Sequence, residues 1–170
     1  MRTIKQLVFV LIVVCLSSCA VHINSLQGQY DKRLERLQKE RDKLNKSNDP
    51  VKRTKTGITI ADILLSLASD AVRTNEPEVL GKRLNEYVDT IREARETMIS
   101  TGRDAHKKPK GFKDLEIALR RHIRLLDDLG RSVTFDQRDP VDKARDEASD
   151  IRENMLKALF GEPNAPSRKS

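Results

Sequence analysis

The chain has 170 residues, 35% of them charged, with a formal net charge of +7. Two cysteines exclude a disulfide framework and a Cys-rich metal fold, and the lack of tryptophan with aromatics at 4% suits helix packing better than a β-sandwich. What remains is an aliphatic core of Leu, Ile, Val and Ala under a surface of mixed charge, the composition of packed helices.

Arg2 and Lys5 form a short positive segment, and Leu7 to Leu16 is an unbroken apolar run. At about ten residues the run suits an export signal and falls well short of the roughly twenty that cross a bilayer as a helix. Leu16-Ser17-Ser18-Cys19 follows: an aliphatic residue, two small residues, then cysteine.

This order resembles the lipobox of bacterial lipoprotein precursors. The resemblance covers residues 1–20 only. It implies a signal peptide over 1–18, cleavage before Cys19, and Cys19 as the lipid attachment site at the new N-terminus. Bulky Val13 and Val14 before Cys15 make that cysteine a poor anchor. Ala20 is not the aspartate with which Gram-negative members of the family are held at the inner membrane. The resemblance therefore implies a lipid-anchored envelope protein, on the periplasmic side of the outer membrane in a Gram-negative host. The competing reading is an ordinary secretory signal cut after Ala20. Loss of Cys15 with the signal and lipidation of Cys19 would leave no free thiol.

Residues 19–24 read as a tether. Ser25 to Ser47 reads as a long helix with a narrow stripe of Leu26, Tyr30, Leu34, Leu37 and Leu44, interrupted by Arg41 and able either to pack on the rest or to project. Glu35 with Lys39, and Asp42 with Lys46, stand at favourable i,i+4 spacing. Asp49-Pro50 is an N-cap and N1 pair that opens the next helix. Gly57 and the alternation Ile58-Thr59-Ile60 predict a kinked or partly extended start, with a clear helix from Ile60 through Ala71.

Thr74-Asn75-Glu76-Pro77 predicts a turn and a helix running to about Thr101, its stripe Leu80, Leu84, Tyr87, Ile91, Ala94 and Met98. Arg103 to Gly111 is a basic loop. Phe112 to Leu129 carries Leu115, Leu119, His122, Leu126 and Leu129 on one face and Arg120, Arg121 and Arg124 on the other, with Gly130 as the expected stop. Val133 and Phe135 are expected to plug the end of the core. Asp139-Pro140 opens the last helix, striped by Val141, Ala144, Ala148, Ile151, Met155 and Ala158 and ended by Gly161. Residues 162–170 read as a disordered tail. The expected fold is all-α: an antiparallel bundle of about five amphipathic helices over 25–161, following the signal peptide.

Few residues point to chemistry. His122 lies on an apolar face, where a hydrogen-bonded core histidine outweighs a ligand; His106 and His22 stand at no metal-ligand spacing from it. Asp127 and Asp128 diverge by about 100° on a helix, Asp136 lies in a loop, and Asp139 is accounted for by capping. No nucleophile elbow, phosphate-binding glycine loop or HExxH occurs. No catalytic role, cofactor or metal is therefore assigned, and an envelope enzyme built on Asp127, Asp136 or His122 ranks third.

The basic residues carry the binding readings. Lys52, Arg53 and Lys55 form one cluster. Arg103, His106, Lys107, Lys108, Lys110 and Lys113 form another, continued by Arg120, Arg121 and Arg124. No aromatic side chains interleave for base stacking, which argues against nucleic acid. The first reading is a scaffold with an envelope protein partner; the second is a module whose Arg103–Arg124 surface binds anionic lipid headgroups or an acidic polymer.

Overall fold

The computed structural model describes residues 28–161. The signal segment with Cys19, the tether with His22, the start of the first helix and the tail at 162–170 lie outside the described residues. The chain divides into two compact units, Met1–Arg36 and Leu37–Ser170. In the first, residues 28–36 are helical. The second holds helical residues 37–46 (α1), α2 (Pro50–Arg73), α3 (Pro77–Ile99), α4 (Lys110–Ser132), a 3₁₀ turn (Phe135–Gln137) and α5 (Arg138–Phe160). The described residues contain no strand, and the fold is an all-α bundle.

Local chemistry sets the helix ends. The Asp49 side chain accepts a hydrogen bond from the Lys52 amide at 2.7 Å, and Pro50 follows at N1, where its missing N–H leaves nothing unpaired. Asn75 takes φ 56° in the tight α2–α3 turn, a left-handed conformation that asparagine tolerates. Gly161 ends α5 at φ 77°.

The helices pack as two hairpins, α2 with α3 and α4 with α5. α2 also packs on α4, and α3 on α5, so the order around the core is α2, α3, α5, α4. Partners run antiparallel within each hairpin. Arg53 meets Glu93 near the start of α2 and the end of α3, while Gly130 lies against Val141 where α4 ends and α5 begins. The α3 stripe is buried in full: Leu80, Leu84, Tyr87, Ile91, Ala94 and Met98. α4 buries Leu115, Leu119, His122, Leu126 and Leu129, and α5 buries Val141, Ala144, Ala148, Ile151, Met155 and Leu159. Each large aliphatic side chain so removed from water is worth about 1.5–3 kcal/mol.

Four sequence expectations are corrected. α2 is one unbroken helix from Pro50, because Gly57 is buried where α2 lies close to α3: a Cβ there would sit 3.5 Å from the Ala94 Cβ. Gly130 does not stop α4, which continues to Ser132 with Gly130 packed beneath Val141. Phe135 does not plug the core; it is 93% exposed on the 3₁₀ turn. That turn leads into α5 at Arg138, so Asp139 is not the N-cap. It lies in the first turn and pairs with Lys143 at 2.7 Å.

Candidate functional site

Two polar clusters are built into the bundle, both centred on α4. The first joins three helices. His122 is 1% exposed; its Nε2 lies 2.8 Å from the Asp62 carboxylate of α2 and its Nδ1 3.3 Å from the Tyr87 hydroxyl of α3. The two rings meet edge-on at 5.5 Å. An ionised carboxylate only accepts, so Nε2 carries a proton toward Asp62, and Nδ1 shares a hydrogen bond with the Tyr87 hydroxyl. Arg121 closes the outer side with an ion pair to Asp62. Burial pushes the Asp62 carboxyl up, but His122 and Arg121 outweigh it and hold the group below its ordinary range. Burial, with Asp62 nearby, pushes the Tyr87 hydroxyl far up, so it stays protonated. Both ring nitrogens of His122 are engaged, and its edge is closed to solvent. The arrangement fixes helix register and leaves no imidazole nitrogen free for a ligand.

The second cluster ties α4 to α5. Glu116 is 3% exposed and receives Arg120 from its own helix, at 2.7 and 2.9 Å, and Arg152 Nε from α5 at 2.9 Å. Burial raises this carboxyl, yet the two guanidinium groups more than compensate and hold it low. A third tie is bidentate: Arg92 of α3 donates to both Glu147 oxygens on α5, at 2.8 and 2.6 Å.

These pairings sort the basic residues singled out in the sequence. Arg120 is taken by Glu116, Arg121 by Asp62, and Lys107 pairs with Asp104 at 3.7 Å. Arg124 donates to the Arg120 carbonyl at 3.3 Å. Arg103, Lys108, Lys110 and Lys113 are exposed, as is His106. In the other cluster, Arg53 leaves its lysine neighbours and donates to Glu93 and to the carbonyls of Leu44 and Ser47.

The acidic residues disperse. Asp127 faces Arg145 of α5 at 4.0 Å, and Asp128 pairs with Arg131 along α4. Asp136 is exposed on the 3₁₀ turn. Asp127 lines a shallow depression of about 300 Å³ with Arg131, Arg138, Asp142 and Arg145, in which arginine outnumbers carboxylate. Among the described residues, no three His, Cys, Asp or Glu side chains are grouped to hold a metal, and no helix is long and apolar enough to cross a membrane. Asp62 and Glu116 were not singled out from sequence. Their one signal there is an i,i+4 Glu116–Arg120 spacing, common on any helix surface.

Fold and clusters together define an all-α bundle pinned by buried ion-pair and histidine contacts. No protein-family model matches the chain, and no curated protein or solved structure matches it either.

Proposed function

We propose that the protein is a lipid-anchored scaffold of the bacterial cell envelope, a helical interaction protein without catalytic chemistry. The observation that carries this reading is the Leu16-Ser17-Ser18-Cys19 segment after an apolar run of signal length, joined to a bundle. On this reading membrane attachment falls to acyl chains on Cys19. The His122 and Glu116 clusters are occupied by groups of the bundle itself, which leaves its outer faces to engage an envelope protein.

The test is expression of the full chain in a bacterial host fed an alkyne fatty acid, beside Cys19→Ala. Label and membrane flotation in the wild type, both absent from the variant, support the anchor. An unlabelled, soluble product from both chains rejects it. Crosslinking in intact cells then tests the scaffold role, which a reproducible envelope partner supports and a chain that remains monomeric rejects.

A second reading is a binding module for anionic headgroups or an acidic polymer, favoured by exposed Lys108, Lys110 and Lys113 beside Arg103. Such binding should weaken with salt and with Lys108→Glu/Lys110→Glu. An interaction indifferent to both would reject it.

A further inference from the structure

Away from the Arg103–Arg124 surface, α1 and the first half of α2 enclose an open groove of about 800 Å³. Lys39, Lys43 and Lys46 line one wall and Lys52 and Lys55 the other; Asp42 is the one carboxylate among the lining residues. The two walls differ in origin. Lys39, Lys43 and Lys46 step by four and three along one helical face, spreading their charges over about 10 Å. Lys52 and Lys55 come from the turns after the Asp49 cap.

Local pairing leaves this charge largely uncompensated. Asp42 accepts a hydrogen bond from Gln38 at 2.9 Å and does not pair with Lys46, contrary to the i,i+4 expectation. Lys43 reaches Glu40 at 3.2 Å, on a side chain still 64% exposed. Lys39, Lys46, Lys52 and Lys55 are exposed and form no ion pair among the described residues. Arg53, between Lys52 and Lys55 in sequence, is turned to Glu93.

Thr56 adds a second observation. It lines the groove and is 4% exposed, yet its hydroxyl makes no hydrogen bond among the described residues. Its neighbours behave otherwise: Thr54 and Thr59 bond back to the carbonyls of Pro50 and Lys55 at 2.9 and 3.1 Å. The hydroxyl oxygen is not cut off from solvent, so its hydrogen is available to an acceptor in the groove that Thr56 lines. Lysines on both walls, with a threonine hydroxyl in the same lining, suit an anion with several oxygens and more than one charge, for which lysine acts as a point charge.

We propose that the groove between α1 and α2 is a binding site for a diphosphate group, held by Lys39, Lys46, Lys52 and Lys55 with Thr56 donating a hydrogen bond. The site does not depend on how the chain is anchored. The diphosphate can be a free molecule or the head of a lipid, and the two sources are separable.

The experiment is lysine acylation footprinting by mass spectrometry on the full chain in detergent micelles. One arm adds inorganic pyrophosphate; the other replaces the micelles with phosphatidylcholine vesicles containing diacylglycerol pyrophosphate, against plain vesicles. Acylation of Lys46 and Lys52 should slow about fivefold or more, because a bound anion holds each amine protonated, while Lys108, Lys110 and Lys113 stay unchanged. Protection in both arms identifies a lipid head that the groove also accepts free. Protection by pyrophosphate alone identifies a soluble ligand, and protection by vesicles alone a lipid. Thr56→Val keeps the side-chain volume and should raise the midpoint for protection about tenfold, the worth of one hydrogen bond to a charged group. Its thermal melting serves as the control for folding. No protection in either arm, or equal protection of every exposed lysine, overturns the proposal. So does a Thr56→Val chain that folds and binds as the wild type does.

Discussion

Glu116 shows how a single side chain holds two helices. Its carboxylate stays charged in a buried position because Arg120 and Arg152 both reach it. Glu116→Gln should therefore destabilise the bundle by about 1–3 kcal/mol at neutral pH, the cost of stranding buried polar groups, measured by urea unfolding. The acid limb follows from the sign of the shift. Glu116 and Asp62 both titrate below their ordinary values of 4.5 and 3.8 in the folded chain. Their contribution is thus complete above those values and is lost as pH falls through and below them. Stability should decline with acid from about pH 4.5 downward, and the Glu116→Gln chain should decline less steeply than the wild type. Tyr87→Phe removes only the contact to His122 Nδ1 and should cost about 0.5–1.5 kcal/mol, again by urea unfolding. Beyond His122 and the two arginines Arg120 and Arg121, neither cluster was legible in the sequence. His122 announces itself by sitting in an apolar stripe, but Asp62 falls on the polar face of α2, and Arg152 stands 36 positions from Glu116. Pairing across that distance is set by helix packing and leaves no local spacing to read.

At the scale of the element, periodicity carried most of the information. The six stripe positions of α3 are its six buried residues, because a four-three step marks one face of a helix whatever it packs against. Errors arose where tertiary contact overrode a local rule. Gly57 has the look of a break, but it is buried against α3 within an unbroken helix. A methyl group there would make only ordinary contact with Ala94. Gly57→Ala should accordingly raise stability by about 0.5–1 kcal/mol, read from the shift in thermal midpoint. Phe135 misled in the opposite direction, since hydrophobicity alone placed it inside. Phe135→Ser should leave stability within about 0.5 kcal/mol of the wild type, as expected of an exposed position, and the same melting curves would check it.

For the whole molecule, the all-α bundle was legible from composition and short connections, whereas the order of helices around the core was not. Nothing in the sequence says that α2 neighbours α4 and that α3 neighbours α5. That order is what brings Asp62 to His122 and Arg92 to Glu147 across the hairpins. The basic surface was equally partial in sequence. The charges were visible, but which of them the fold consumes depends on carboxylates brought from other helices.

The double-hairpin layout also has a consequence in time. The most extensive helix contacts lie within α2–α3 and within α4–α5, between segments joined by short turns. Closing such short loops costs little chain entropy, so each hairpin can collapse before the halves meet. Refolding from urea should be complete within about milliseconds in stopped-flow circular dichroism, as for other chains rich in local contacts. Docking of the halves would be the later event. Glu147→Gln, which weakens a contact between hairpins, should then speed unfolding while leaving the folding rate nearly unchanged. Such a chain spends little time with its aliphatic stripes open to water, and so little time open to association with other unfolded chains.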